Sequence, residues 1–186
     1  MQFVLTGSCF AADCVPVLIQ QNVDGSDCFN RSWEEFKVGF NDKRGNYWLG
    51  NDLLSQLTQQ GRYKLRFDLQ LTINHSWYWA EYSTFIVKDE THNYKLHVSG
   101  FSGNTGFDAL AYHNGMMFTT FDRDNDEFIN GVYNDNCAVR KGGGFWYHSC
   151  AYCDVNTVRG HGDTFRWRHV GGQLLLQKSR MWLTCQ

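Results

Sequence analysis

An acidic run in the second half of the chain offers the clearest chemistry, because Asp122, Asp124 and Asp126 place three carboxylates at alternate positions. Calcium takes about six to eight oxygen ligands from carboxylates, backbone carbonyls and water, so alternate aspartates in one loop are suitable ligands. The run does not follow the EF-hand pattern, because Glu127 stands where that loop requires glycine and Tyr133 where it requires glutamate. It therefore predicts either a calcium loop of another kind or a solvated acidic turn.

The cysteines and two glycosylation sequons indicate an extracellular protein. Seven cysteines are present, at Cys9, Cys14, Cys28, Cys137, Cys150, Cys153 and Cys185. An odd number leaves at least one thiol unpaired or available for an intermolecular bridge. The Cys150-x-x-Cys153 spacing also occurs in redox and zinc motifs, but the sequence has no second such pair and no βαβ pattern beside it. Asn30 and Asn74 each begin an Asn-x-Ser sequon, which accepts glycans in secreted proteins.

Catalytic motifs are not found in the sequence, although serine, histidine and aspartate are all common. The chain has no G-x-S-x-G nucleophile elbow and no H-E-x-x-H metalloprotease motif. The three glycines at residues 142–144 are not followed by Lys-Ser or Lys-Thr, so they do not form a phosphate-binding loop of that type. Scattered histidines such as His113, His148, His161 and His169 usually lie on the surface or in hydrogen bonds. We therefore expect a protein that is not an enzyme.

Length and composition favour one compact domain with many loops. The chain has 186 residues, and 16% of them are aromatic, with 18 glycines and 1 proline. A net charge of −2 and a pI near 6.4 give no basic field for nucleic acid or an anionic membrane. No run of about 18 apolar residues is present, so insertion into a membrane is not expected.

The elements that would position the acidic run are predicted from periodicity. Ser32 and Glu35 form a capping box that opens a short helix through Phe36. Asn51 is expected to cap a second helix, whose apolar residues at helical spacing are Leu53, Leu54 and Leu57.

Strands are predicted at residues 62–73, 77–87 and 94–98. The first alternates without a break, with one apolar face formed by Tyr63, Leu65, Phe67, Leu69, Leu71 and Ile73. These segments predict an α+β fold, a twisted antiparallel sheet with short helices. After Gly100 the periodicity fades into long loops, which in a compact domain are usually functional or held by a metal or a disulfide.

Several motifs, in order, resemble the fibrinogen C-terminal (fibrinogen-related) domain found in ficolins, tachylectins and fibrinogen-like proteins. They are NRSWEEFKVGF at 30–40, YWLGND at 47–52, NYKLHVSGFSGN at 93–104, YHNGMMFTTFDRDND at 112–126, NCA at 136–138 and FWYHSCAY at 145–152. The resemblance runs from about Val17 to about Leu183. It implies a fibrinogen C-terminal-like domain over residues 17–186, preceded by a divergent or truncated segment at residues 1–16.

The closing part of the sequence also follows the family. Residues 165–186 resemble its final strands, but Cys185 is unusual there and is our first candidate for the odd thiol or an interchain bond.

The resemblance also implies a calcium site in the long-loop region. The family holds its cation with two aspartate side chains and with backbone carbonyls just downstream. These positions correspond to the side chains of Asp124 and Asp126 and to the carbonyls of Phe128 and Asn130. About six extra residues between Asp126 and Cys137 give the carbonyl ligands room to shift along the insertion. Asp122 is expected to lie behind the ligands or in solvent.

A disulfide between Cys137 and Cys150 is likewise implied by the resemblance. It closes a loop of about fourteen residues and would stabilise the fold by roughly 3 kcal/mol in the chain-entropy model. In family members that recognise acetyl groups, the peptide after the second cysteine is cis, which here is the Cys150–Ala151 bond.

Backbone N–H groups at Cys150 and Ala151 would then donate to an acetyl oxygen. Aromatic walls would come from Phe145, Trp146, Tyr147 and Tyr152, with Trp146 equally suited to the core. His148 and Lys141 are placed at the same pocket. Lys141 stands where acetyl-binding members carry an aromatic wall, and the segment 154–167 is shorter than the family's loop. Such a pocket is also suited to an anionic or peptidic group.

The resemblance therefore implies a secreted, calcium-dependent recognition lectin that binds acetylated glycans or similar surface groups. The alternative is a protein-interaction module that binds a receptor or matrix protein in adhesion or signalling, or one that captures a peptide knob as fibrinogen does. The expected partners are an acetylated carbohydrate, a cell-surface glycoprotein or a protein receptor. The full-length protein is expected to be an oligomer.

Overall fold

The computed structural model describes residues 14–61, 63–129, 136–158 and 165–186. Its strands are β1 (Val17–Asn22), β2 (Phe40–Asn41), β3 (Tyr47–Trp48), β4 (Tyr63–Leu71), β5 (Trp77–Val87), β6 (Leu96–Gly103), β7 (Cys153–Asp154), β8 (Arg166–His169) and β9 (Gly172–Cys185). Its helices are α1 (Trp33–Val38), α2 (Asn51–Thr58) and α3 (Cys137–Lys141). Short 3-10 turns lie at Asp27–Phe29, Glu90–His92 and Leu110–His113. In the part of the protein so described, no helix is long and apolar enough to cross a membrane.

One antiparallel sheet organises the domain, with strand order β2-β3-β1-β9-β4-β5-β6. The last strand, β9, lies between β1 and β4, so the end of the chain is paired on both sides. The start of β9 also pairs with β8, which in turn pairs with β7. This arrangement confirms the predicted α+β fold with its twisted antiparallel sheet.

The two faces of the sheet have different environments. On the core face, Leu65, Phe67 and Leu69 of β4 are fully buried, together with Met181 and Leu183 of β9. The helix α2 packs on β5. We call the opposite side the outer face, and its β4 side chains alternate with the buried ones, as a period of two requires.

The capping box forms as predicted. Ser32 accepts a hydrogen bond from the Glu35 backbone N–H, and the Glu35 side chain accepts one from the Ser32 N–H. The helix extends slightly further than expected, to Val38, and its first turn buries Trp33.

Three local predictions differ from the structure. Asn51 is not a cap, because Gly50 holds that position and the Asn51 side chain accepts a hydrogen bond from the Trp48 indole instead. Ile73 lies in the β4–β5 turn and is 86% exposed, so the apolar face of β4 ends at Leu71. Tyr94 precedes β6 in a left-handed conformation rather than lying in a strand.

Two disulfides form among the described cysteines. One is the expected Cys137–Cys150 bond. The other joins Cys14 to Cys185, so the prediction that Cys185 carries the odd thiol is wrong. Of the other described cysteines, Cys28 and Cys153 are buried free thiols, while Cys9 lies outside the described residues.

Candidate functional site

The acidic loop is anchored to the core by the residues on either side of it. Thr119 pairs with Phe145 through two backbone hydrogen bonds, which fixes the backbone where the loop begins. Within the loop, the Asn125 side chain donates to the Phe118 carbonyl, and the Asn125 backbone N–H donates to the Thr119 hydroxyl. The aspartates are therefore carried by a turn with a defined attachment.

Asp122 has a structural role in this loop. Its carboxylate accepts hydrogen bonds from the Trp33 backbone N–H at 2.9 Å and from the Thr120 hydroxyl at 2.7 Å. The first of these satisfies an N–H at the start of α1, which has no partner within the helix. Asp122 thus ties the acidic loop to α1.

Asp124 and Asp126 form the part of the loop that suits a cation. The Asp126 carboxylate accepts N–H hydrogen bonds from Phe128 at 2.9 Å and from Cys137 at 2.8 Å. Burial, together with the neighbouring Asp124 carboxylate, raises the pKa of Asp126 to about 6. Two carboxylates held this close fit a hard divalent cation, which prefers carboxylate oxygens.

The rest of the predicted ligand set is incomplete in the described residues. No group of three or more acidic, histidine or cysteine side chains gathers there in a way that could hold a metal. A cation at Asp124 and Asp126 would therefore need backbone carbonyls and water as well. Phe128 lies next to these aspartates through its N–H bond to Asp126. Asn130 lies outside the described residues, so both carbonyl assignments stay predictions.

The Cys137–Cys150 disulfide connects the acidic loop to a second segment. Cys137 begins α3, whose cap is Asn136, and donates its backbone N–H to Asp126. Its disulfide partner Cys150 has a φ of +52°, a left-handed conformation that non-glycine residues seldom adopt. The Cys150–Ala151 peptide is trans, so the expectation of a cis bond there is wrong.

A buried histidine holds the backbone that follows the disulfide. His113 is fully buried, and its Nε2 accepts hydrogen bonds from the N–H groups of Tyr152 at 3.2 Å and Cys153 at 3.3 Å. Its Nδ1 then carries the proton and donates to the Trp146 carbonyl at 2.7 Å. Burial lowers the pKa of His113 to about 4, so the imidazole is neutral at physiological pH. The sequence analysis predicted only that His113 would lie on the surface or in a hydrogen bond, and it did not predict its place beside the disulfide.

The predicted aromatic walls are mostly in the core. Phe145, Trp146 and Tyr147 are fully buried, because the bridge from Phe145 to Thr119 turns this segment inward. They do not line an open pocket, so the expectation is wrong for Phe145 and Tyr147, while Trp146 takes the core position that was its alternative. Tyr152 is half-buried and is the one of the four predicted wall residues that reaches the surface.

An open groove of about 650 Å³ lies beside Tyr152. Its lining consists of Ser149, Ala151, Tyr152, Arg166, Arg168, His169, Gly171, Gly172 and Gln173. The segment after the disulfide forms one wall, and the hairpin of β8 and β9 forms the other. Of the predicted ligand-binding residues, Ala151 and Tyr152 lie in this lining, and Cys150 lies directly before them.

A stack of planar side chains borders the groove. Tyr152 and Tyr112 lie parallel with their ring centroids 3.9 Å apart. His148 packs on the far side of this pair, 4.8 Å from the Tyr112 centroid, and also lies 3.4 Å from a carboxylate oxygen of Glu127. The guanidinium of Arg168 lies 4.0 Å from the Tyr152 centroid. The stack therefore joins the acidic loop to the cationic wall of the groove.

The two arginines of β8 were missed by the sequence analysis. Arg166 donates to Gln173 at 2.9 Å, and Arg168 is exposed. They are two residues apart, and side chains with that spacing share one face of a strand. The FRWRH pattern contained this signal, but only the fold shows that the shared face borders the segment after the disulfide.

Lys141 does not lie in the groove lining. It ends α3, and its charge acts on Asp154, a fully buried carboxyl. Burial raises the pKa of Asp154 well above its usual range, and Lys141 and Arg166 partly oppose that shift. Lys141 therefore acts on a buried carboxyl, and its position outside the groove gives no support to its predicted ligand role.

Comparison with known proteins gives consistent matches. The family model for the C-terminal globular domain of fibrinogen beta and gamma chains matches residues 12–184. Angiopoietin-related protein 2 from Mus musculus is 41% identical over 155 residues, which cover 83% of this chain and 30% of that protein. Fibrinogen-like protein A from Apostichopus parvimensis is 41% identical over 143 residues, which cover 75% of this chain and 48% of that protein. The chain thus spans less than half the length of these relatives.

Solved structures show the same fold. The fibrinogen-like globe domain of human ANGPTL2 superposes with a TM-score of 0.77 at 37% identity, covering 91% of this protein and 80% of that one. A lamprey fibrin D-dimer in complex with the peptide Gly-His-Arg-Pro-amide gives a TM-score of 0.74 at 28% identity, and the match covers 89% of this chain and 60% of that one.

Proposed function

The protein belongs to the family of C-terminal globular domains of fibrinogen beta and gamma chains, and we propose that it is an extracellular protein-interaction domain. Its site is the groove between Ala151–Tyr152 and the β8–β9 hairpin. The preferred occupant is a segment of a partner protein that carries carboxylates. The family is non-enzymatic, and the proposed activity is accordingly binding without catalysis.

The charge of the groove supports an acidic occupant. Arg166, Arg168 and His169 all line it, and none of its described lining residues carries a carboxylate. Arg168 is exposed, and its guanidinium lies 4.0 Å from the Tyr152 ring centroid, a contact that favours one orientation of the side chain. A guanidinium in this state matches a carboxylate in a two-point hydrogen-bonded pair. This exposed, oriented arginine is the observation that carries the proposal.

The relatives support binding of a protein segment more than binding of a sugar. The lamprey fibrin D-dimer, which contains a domain of this fold, is in complex with a short peptide, and this supports a peptide segment as the type of ligand. That peptide contains arginine and is amidated, whereas the cationic groove described above suits the opposite charge. We therefore infer that this protein also binds a peptide segment, but one that carries carboxylates where the lamprey ligand carries arginine.

Recognition of an acetylated glycan has less support in this protein. The backbone arrangement expected for it requires a cis Cys150–Ala151 bond, and this bond is trans. Three of its four expected aromatic walls are buried. Neither feature bears on a protein ligand, which makes the protein-interaction function the better supported of the two.

We propose secretion from the disulfides and the two N-glycosylation sequons. Disulfides such as Cys14–Cys185 persist in oxidising compartments and are rare in the cytosol. Asn30 and Asn74, the acceptors of the two sequons, are both exposed on the folded domain. Treatment of the secreted protein with an N-glycosidase is expected to increase its electrophoretic mobility, with smaller shifts for Asn30→Gln and Asn74→Gln.

We also propose that Asp124 and Asp126 bind calcium. The ion would offset the repulsion between the two carboxylates. Because Asp126 accepts a hydrogen bond from the Cys137 N–H, the ion would also stabilise the backbone at the disulfide. Calcium is expected to raise the melting temperature of the parent protein, but to leave the Asp126→Asn variant nearly unchanged. Asp122→Asn is the matched control, because it removes a carboxylate that binds α1 and should keep its calcium response. Equal calcium responses in the parent and in Asp126→Asn would contradict the assignment.

The groove is tested with three immobilised probes in parallel. They are a peptide library rich in aspartate and glutamate, the amidated peptide Gly-His-Arg-Pro and N-acetylglucosamine. We expect members of the acidic library to bind, and we expect Arg168→Glu to weaken them at least about tenfold. Lys95→Glu, a charge reversal at an exposed position in the turn before β6, should leave binding unchanged. Calcium-dependent binding of N-acetylglucosamine alone would instead support the lectin function.

A further inference from the structure

The outer face of the sheet carries a cluster of tryptophans and basic side chains that the groove does not use. Its members are Lys64, Arg66, Asp68 and Gln70 of β4, Trp77, Trp79 and Glu81 of β5, and Lys178, Arg180 and Trp182 of β9. Strand register places them in rows, because Gln70 pairs with both Trp77 and Lys178, and Asp68 pairs with both Trp79 and Arg180. Within the described parts of the protein, no helix or strand is stacked on this face.

Side-chain exposure agrees with an uncovered face. The Lys64 and Arg66 side chains are 30% and 35% exposed, although both belong to a central strand of the sheet. Trp77, the first residue of β5, is 44% exposed. On the opposite face of β4, Leu65, Phe67 and Leu69 are fully buried, so the exposure of Lys64 and Arg66 reflects the lack of cover on their face and not their position along the strand.

Two arginines of the outer face each lie against a tryptophan ring. The Arg180 guanidinium lies 5.5 Å from the Trp77 centroid, and the Arg66 guanidinium lies 5.2 Å from the Trp79 centroid. Contacts at these distances are attractive cation–π pairs. The outer face therefore places aromatic rings and cationic groups side by side.

The charge on this face is not balanced. Lys64 forms an ion pair with Glu81 at 3.0 Å, and Arg66 forms one with Asp68 at 3.0 Å. Arg180 donates to the neutral Gln21 side chain at 2.9 Å. For Lys178, the described residues contain no carboxylate partner. The four cations thus exceed the two carboxylates, and the excess lies on β9.

We propose that the outer face binds a linear sulfated polysaccharide. Lys178 and Arg180 lie on one strand two residues apart, so their backbone positions are about 7 Å from each other and point to the same side. Sulfate groups along one polysaccharide bind these two cations, and a sugar ring packs on the exposed ring of Trp77. The carbohydrate lies flat on the sheet and buries little of it.

This site is separate from the groove. None of its residues lines the groove, and its charge excess lies on the part of β9 that pairs with β4. The protein as a whole has a net charge of −2, so attraction to a polyanion depends on this local excess and not on the overall field. A polysaccharide of the extracellular matrix and a partner protein are able to occupy the domain together.

Retention on immobilised heparin, measured as a function of salt, tests the proposal. We expect the parent domain to bind heparin and to lose affinity linearly in a plot of log affinity against log salt, as for other linear polyanions. A double variant, Lys178→Gln with Arg180→Gln, should elute at lower salt, with the slope reduced by about two. Lys88→Gln with Lys95→Gln is the matched control, because it removes two exposed cations away from this face. This control should elute with the parent.

A third variant separates ring packing from charge. Trp77→Ser should weaken binding without changing the salt slope, because no charge is removed. The proposal is overturned if the parent is not retained at about 0.05 M salt, if the Lys88–Lys95 control loses as much affinity as the double variant, or if Arg168→Gln alone abolishes retention. The last result would place the sulfates in the groove. Circular dichroism of each variant confirms that the fold is intact.

Discussion

Acidification acts on His113, the histidine that holds the backbone of the groove. In its neutral form, His113 accepts two N–H hydrogen bonds on Nε2 and donates one from Nδ1. Protonation would place a hydrogen on Nε2, where it would face the N–H groups of Tyr152 and Cys153. We therefore expect the folded state to lose stability as the pH falls, and the groove to be affected with it.

The size of the effect follows from the pKa of His113. Its ordinary value of 6.5 is lowered to about 4 in the folded state, so the unfolded protein binds the proton first. A lowered histidine pKa gives stability that is present above pH 6.5 and lost as the pH falls toward 4. Linkage predicts a loss of about 2 kcal/mol between about pH 7.5 and pH 5, and about 3 kcal/mol at the limit.

Urea denaturation followed by tryptophan fluorescence, at several pH values, measures this loss. The His113→Gln variant cannot titrate at this position, so only the parent loses stability through this residue. The difference in free energy of unfolding between the parent and the variant should therefore fall by about 2 kcal/mol between about pH 7.5 and pH 5. Comparing the two proteins at each pH removes the contribution of Asp126, whose raised pKa acts in the opposite direction. His97→Gln, at an exposed position in β6, is the control. Parallel pH profiles for the parent and His113→Gln would refute the assignment of His113.

Three further changes are expected to alter stability in proportion to the contacts they remove. Ser32→Ala removes the α1 capping box and should cost about 1 kcal/mol in urea denaturation, and an unchanged midpoint would show that α1 is held by packing alone. Gly143→Ala places a Cβ in steric overlap with the Asn156 carbonyl oxygen. Thermal melting of this variant should show a loss of about 3 kcal/mol or no folding, and a parent-like melt would mean that the backbone there yields easily. Cys14→Ser with Cys185→Ser should lower stability by up to about 5 kcal/mol, and equal melting of parent and variant in oxidising buffer would count against this long-range bond.

The sequence predicted best where a local pattern is decided by nearest neighbours. The capping box needs only Ser32 and Glu35, and both hydrogen bonds form. The alternation of β4 needs only a sheet with one buried face, and its boundaries agree within about two residues. The strand at Trp77–Val87 has the predicted bounds.

Prediction failed where distant parts of the protein decide the outcome. Asn51 has the side chain of a helix cap, but the Trp48 indole, brought close by β3, takes its oxygen. Phe145 to Tyr147 has the composition of an aromatic pocket wall, but its pairing with Thr119 turns it into the core. The pairing of Cys14 with Cys185 spans 171 residues and depends on β1 and β9 being neighbours, which no local pattern shows.

That long disulfide also has a mechanical consequence. Because β1 and β9 are antiparallel neighbours, Cys14 and Cys185 leave the sheet at the same end. A tensile force applied to the domain through residues 14 and 185 is carried by one covalent bond and bypasses the strands between them. Under such a force, the sheet between these two residues would stay unstretched for as long as the disulfide is intact.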